Sequence, residues 1–177
     1  MATGSKTDHE RDAFDEFAKS AGLAVEAGSV GGGDPDKAEP DISYRIAGQP
    51  QWFELGRILP EEIPQFTTKA IKQLLSGAPQ TAGGAVTGPG KVLVRIIEQK
   101  AGKHYQTAGA PVDLVLYFDN SDPKTWGFPP PGDFQVWADA YMVPTIAKSA
   151  GQFAQVWVYD RNKQRVLWRW AVKTFTR

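Results

Sequence analysis

At 177 residues the chain has the length of one domain, and its 41% hydrophobic and 23% charged residues exclude a wholly disordered polypeptide. The absence of cysteine excludes a disulfide framework, a thiolate nucleophile and any Cys-based zinc site, and suits a reducing, cytoplasmic setting. Formal net charge is zero, yet residues 1–62 hold 13 acids and 6 bases (−7) while residues 161–177 hold 6 bases and no acid (+6), so an anionic partner is not excluded.

Residues 1–7 are small and polar, read as a disordered N-terminus, and show no apolar stretch of signal-peptide type. No apolar run approaches the roughly 20 residues that a membrane span requires, so no membrane partner is expected. A single domain is expected over residues 8–177. Asp8 to Gly22 reads as a helix, with Ala13, Phe14, Phe17, Ala18 and Ala21 at helical spacing, an N-cap at Asp8 and a stop at Gly22. Leu23 to Ala27 is a candidate short strand. Ser29 to Glu39 contains Gly31-Gly32-Gly33-Asp34-Pro35-Asp36 and reads as a loop; Pro35 and the acids argue against a phosphate cradle.

Asp41 to Ile46 alternates, with Ile42, Tyr44 and Ile46 on one face. Gly48-Gln49-Pro50 reads as a turn and Gln51 to Ile58 as a second strand, so the pair predicts a hairpin. Pro60-Glu61-Glu62 opens a predicted helix to about Leu75, and residues 76–90 read as a loop. Lys91 to Tyr105 fits strand or helix; Val92, Leu93, Ile96 and Ile97 favour helix. Val112 to Phe118, VDLVLYF, has the nearly continuous apolar character of a central buried strand. Asp119-Asn120-Ser121-Asp122-Pro123 ends it with turn chemistry.

Trp126 to Gly132 reads as extended. Asp133 is a candidate cap for a helix from Phe134 to about Met142, with a break at Pro144 before Ile146 to Ala150. Phe153 to Tyr159 and Val166 to Phe175 predict a closing hairpin. On the last strand Val166, Trp168, Trp170 and Val172 share one face and Arg165, Arg169 and Lys173 the other. The fold class expected from this order is α/β, a mixed central β-sheet flanked by helices.

One constellation carries chemistry. Pro40-Asp41 precedes the first hairpin strand, and Glu54 lies inside the apolar stretch Trp52-Phe53-Glu54-Leu55 of the second. A carboxylate in such a strand is costly to desolvate unless it is paired or binds a cation. If the strands pair, the two carboxylates converge, and paired hard oxygens suit Mg²⁺ or Mn²⁺. The bland alternative makes Asp41 a strand-start residue and Glu54 the partner of Arg57 or Arg45. His9 and His104 are the only histidines, which rules out a multi-histidine metal site.

"EPDI" at 39–42 followed by "WFELGRI" at 52–58 resembles the core of the PD-(D/E)XK, or restriction-endonuclease-like, nuclease superfamily. The segment "IIEQKAGKHYQ" at 96–106, followed by the strand at 112–118, is similar to small members, so the resemblance covers about residues 8–120. It implies a restriction-endonuclease-like fold, Asp41 and Glu54 as catalytic metal ligands with Glu10 or Glu16 in support, Mg²⁺ or Mn²⁺ as cofactor, and hydrolysis of DNA phosphodiesters. The sequence departs from the pattern at Gly56, where the family has a lysine. Lys100, Lys103 or Arg57 could replace it. Lys100 is preferred over Lys103, and Arg57 should point to the opposite face from Glu54.

The alternative is a catalytically inactive nuclease-fold protein. It would bind protein or nucleic acid through the C-terminal aromatic and basic surface, with Arg161, Lys163, Arg165, Arg169 and Lys173 along a phosphate backbone.

Overall fold

The computed structural model describes residues 6–58, 89–119, 131–148 and 152–171. The predicted helix from Pro60, the loop at 76–88 and the stretch at 126–130 lie outside the described residues. Six strands form one mixed sheet in sequence order. They are β1 (Gly31–Gly32), β2 (Ile42–Ile46), β3 (Gln49–Ile58), β4 (Val112–Phe118), β5 (Gln155–Asp160) and β6 (Arg165–Ala171). β3, β4 and β5 are mutually parallel, and the other neighbours pair antiparallel. The helices are α1 (Lys6–Ser20), α2 (Pro89–Ala101) and α3 (Pro131–Lys148). The expected α/β class, the antiparallel hairpin and the central strand at 112–118 are all present.

Helix α1 ends where Gly22 takes a positive φ of 66°. Leu23 N then donates to Ala18 O (2.9 Å) and Gly22 N to Lys19 O (3.2 Å), closing the last carbonyls in a Schellman pattern. The chain that follows is not the short strand expected at Leu23–Ala27. Glu26 makes one backbone bond to Arg45 (3.0 Å), and the strand position beside β2 goes to Gly31–Gly32 instead.

The hairpin turn is also displaced from the predicted Gly48–Pro50. Ala47 (φ 49°) and Gly48 (φ 74°) form a two-residue turn, and Ile46 pairs with Gln49. Pro50 lies within β3, opposite Arg45 and before the pairing with β4 begins at Trp52. Its missing N–H therefore interrupts no ladder bond.

Two apolar layers sandwich the sheet. Phe14 and Phe17 of α1 pack on Tyr44, Phe53, Trp157 and Tyr159. On the other face Leu93 and Ile97 of α2 and Met142 of α3 cover Leu114, Leu116, Val156 and Val158. A fully buried Phe or Leu of this kind stabilises by about 1.5–3 kcal/mol. Helix α3 starts at Pro131 and runs unbroken through the exposed Pro144, against the predicted break. Buried Ala138, Met142 and Ile146, spaced four apart, hold one continuous stripe on the sheet, which outweighs one lost helical hydrogen bond.

The expected single face of Val166, Trp168 and Trp170 is broken by a bulge. Tyr159 pairs with Val166 but Val158 with Trp168, so Leu167 is the extra residue. Val166 then packs on the α1 side, while Trp168 and Trp170 pack on the α2–α3 side. No helix among the described residues is long and apolar enough to cross a membrane.

Candidate active site

The register of the hairpin brings Asp41 and Glu54 together. Ile42 opposes Phe53, so the next position outward sets Asp41 against Glu54. Asp41 is fixed at the head of β2: its carbonyl accepts from Gly33 N (3.0 Å), and its Oδ2 accepts from Leu55 N (2.8 Å). A Cβ at Gly33 would fall 1.8 Å from Pro40 O, so this close approach requires glycine. Glu54 points to the α2 face and is 1% exposed.

Lys100, in the last turn of α2, places Nζ 2.5 Å from Glu54 Oε1 and 3.7 Å from Asp41 Oδ2. Lys103, just past the helix end, lies 2.8 Å from the same Oε1. Tyr105 ties this end down by donating to Lys100 O (3.1 Å). The partners of Glu54 are therefore lysines, not Arg45 or Arg57. Burial alone would push the Glu54 carboxyl up; the charge and hydrogen bond of Lys100, with those of Lys103, outweigh it and hold the group below the usual range. Lys103 is shifted the opposite way: burial lowers it, and Glu54 more than restores it.

Position 56 is crowded by both β4 and α2. A Cβ on Gly56 would lie 2.6 Å from Leu116 Cδ2 and 2.8 Å from Ile96 Cγ2. Helix α2 thus crosses β3 where no side chain fits. Four residues along the helix rise about 6 Å and two along the strand about 6.6 Å. With Ile96 over Gly56, Lys100 consequently reaches Glu54. The close crossing that excludes a lysine at position 56 delivers one from the helix.

An open cleft of about 630 Å³ adjoins the pair, with Glu10, Leu55, Gly56, Arg57 and Lys100 among its walls. Glu10 pairs with Lys6 (3.2 Å), and its carboxyl is pushed up by burial and then by the charge of Asp41. Glu16, the other acid considered on α1, is bound bidentately by Arg161 (2.8 Å twice) and does not line this cleft. Among the described residues no group of three or more His, Asp or Glu is placed to hold a metal ion.

The basic residues of the C-terminal hairpin are dispersed. Arg161 is turned inward to Glu16 and Asp119, and Lys163 lies 3.9 Å from Asp160. Arg165 is exposed at the start of β6. Arg169 stacks 4.4 Å above the Trp157 ring and bonds Gln155 Oε1. Lys173 lies outside the described residues. Trp157 and Trp168 are buried. Sequence reasoning missed one cluster, in which Arg57, His9 and Arg161 converge on Asp119. The available signal is an acid directly ending a buried strand, in a run, Asp119-Asn120-Ser121-Asp122-Pro123, that reads as turn chemistry. Comparison with known proteins returns no match: no family model fits the chain, and no curated protein or solved structure is significantly similar to it.

Proposed function

We propose that this protein is a metal-dependent nuclease of restriction-endonuclease-like, PD-(D/E)XK type that hydrolyses DNA phosphodiester bonds, with its lysine supplied by α2. The observation that carries the reading is the convergence of Asp41, Glu54 and Lys100, with Nζ 2.5 Å from one carboxylate and 3.7 Å from the other. The sheet order and the helices on both faces are compatible with it.

Asp41 and Glu54 would hold Mg²⁺ or Mn²⁺, and Glu10 would support them from the cleft wall. A cation held there would polarise the phosphodiester and lower the pKa of a bound water. Asp41 is pre-oriented by Leu55 N, so its second oxygen is presented without loss of side-chain freedom. Lys100 offsets the negative charge of the acid pair and, as an ammonium on a flexible stem, can stand by the attacked phosphate. Purified protein should nick plasmid or cut single-stranded DNA with Mn²⁺ or Mg²⁺, and Asp41→Ala and Glu54→Ala should abolish both cutting and calorimetric Mn²⁺ binding. Cutting that is unchanged in both variants would overturn the assignment.

One observation favours the inactive alternative. Two ammonium groups already meet at a single oxygen of Glu54, which satisfies that carboxylate without a metal. Absence of both Mn²⁺ binding and cleavage in the wild type would select that reading, with protein or nucleic acid bound by the fold.

A further inference from the structure

The cleft beside the acid pair continues along β3 to a second cluster. Asp119 follows β4 directly and its side chain is 6% exposed. Three cationic or titratable groups meet its Oδ2: Arg57 Nη2 at 3.0 Å, His9 Nε2 at 3.0 Å and Arg161 Nη1 at 3.6 Å. They differ in where they face. Arg161 is 14% exposed and doubly bonded to Glu16, so it closes the inner side. Arg57 and His9 are 39% and 46% exposed, and both line the cleft.

Asp119 meets Arg57 at Nη2, and a guanidinium carries five N–H donors in a planar fork suited to phosphate. A buried carboxylate that fixes an arginine and an imidazole on the wall of an open cleft pre-organises them, so a ligand need not immobilise them on binding. Arg57 stands three residues from Glu54, about 10 Å along the strand. It points to the α1 face, as the alternation of β3 requires, and Lys6 lies on the same cleft.

We propose that Arg57 and His9, oriented by Asp119, form a phosphate seat that holds a nucleic-acid backbone beside the bond that Asp41, Glu54 and Lys100 address. The ligand class is a phosphodiester strand, and the seat binds it without a metal. The inference rests on the nuclease reading for its context but is tested apart from it.

Anisotropy of a labelled single-stranded oligodeoxynucleotide is measured in EDTA across a salt series. Arg57→Gln should weaken binding about tenfold and His9→Gln about threefold. The slope of log K against log salt should fall by about 0.7 in Arg57→Gln, as for one lost phosphate contact on a single strand. Arg57→Lys should keep the slope and part of the affinity, and Arg45→Gln, on the exposed side of β2, should match the wild type. If Arg57 served only the fold, its variants would melt earlier with an unchanged slope. Should Arg57→Gln unfold, the half-exposed His9 carries the test alone. Wild-type affinity and slope in both cleft variants, or loss of binding in Arg165→Gln instead, would overturn the seat. Because chelator removes the metal, Mn²⁺-dependent cleavage that persists without these effects refutes the seat alone. Binding that depends on Arg57 with no cleavage refutes the enzyme alone.

Discussion

Replacing Gly56 by alanine should both strain the fold and disarm the site. The added methyl would sit 2.6 Å from Leu116 Cδ2 and 2.8 Å from Ile96 Cγ2, where Leu116 is 0% and Ile96 6% exposed. Carbon atoms pack at about 3.5–4.0 Å, so each contact is short by roughly 1 Å. Overpacking of this kind costs about 1–3 kcal/mol. Replacing a strand glycine recovers about 0.5–1 kcal/mol of backbone entropy. The expected net loss is about 1–2 kcal/mol, or roughly 2–8 °C in Tm for a chain of this size. Relief by lifting α2 from β3 would also draw Lys100 away from Glu54, so DNA cleavage should fall more than stability does. Urea unfolding of Gly56→Ala, Ile96→Ala and the double variant reads the clash directly. Ile96→Ala removes the Cγ2 in question, so the double variant should be more stable than the sum of the singles by at least about 0.5 kcal/mol. A Gly56→Ala protein as stable as wild type, or purely additive effects, would refute the argument that the helix crossing excludes a side chain at position 56.

Three further outcomes are expected. Glu54→Gln and Lys100→Met should each cost about 1.5–3 kcal/mol in urea unfolding at pH 7, as for charge-assisted hydrogen bonds, and less than the sum together; additivity within about 0.5 kcal/mol would show that the pair is not coupled. Asp113 is 3% exposed and accepts from Gln155 Nε2 (3.0 Å), and burial pushes its carboxyl up to about 7. A raised acid in the native state means stability is fully present below about pH 4 and declines as pH rises to about 7, so wild type and Asp113→Asn should diverge across that window and run parallel above it; parallel curves throughout would contradict the assignment. Phe17 is 0% exposed and meets Phe53, Trp157 and Tyr159 at 5.4–5.6 Å, so Phe17→Ala should destabilise by about 3–5 kcal/mol, and a loss under about 1.5 kcal/mol would mean that α1 is not anchored there.

The elements legible from the sequence are those whose side-chain period matches their burial. Phe14 and Phe17 at helical spacing mark α1, the alternation of Ile42, Tyr44 and Ile46 marks β2, and the apolar run 112–118 marks a strand paired on both sides by parallel neighbours. What escaped depends on contacts distant in sequence. Nothing local marks Leu167 as a bulge, and it is the partner strand β5 that decides which tryptophans turn inward. Pro144 reads as a breaker on backbone chemistry, whereas packing of Met142 and Ile146 carries the helix through it. At the site, Asp41 and Glu54 were legible because a carboxylate inside an apolar strand needs a partner. That Lys103 joins Lys100 on Glu54, and that Asp119 gathers Arg57 and His9, follow from the tertiary arrangement of α2, β4 and α1.

The central claim is that Asp41, Glu54 and Lys100 act together on a phosphodiester. Single-turnover cleavage of plasmid and single-stranded DNA with Mn²⁺ should be compared for wild type, Glu54→Ala and Lys100→Ala. The account predicts cutting by the wild type and a loss of about 100-fold or more in each variant, in line with removal of a charge-stabilising group from a reaction centre. Loss of activity in Glu54→Ala with a wild-type rate in Lys100→Ala would contradict the helix-borne lysine, and a wild type that cuts neither DNA would contradict the enzyme itself.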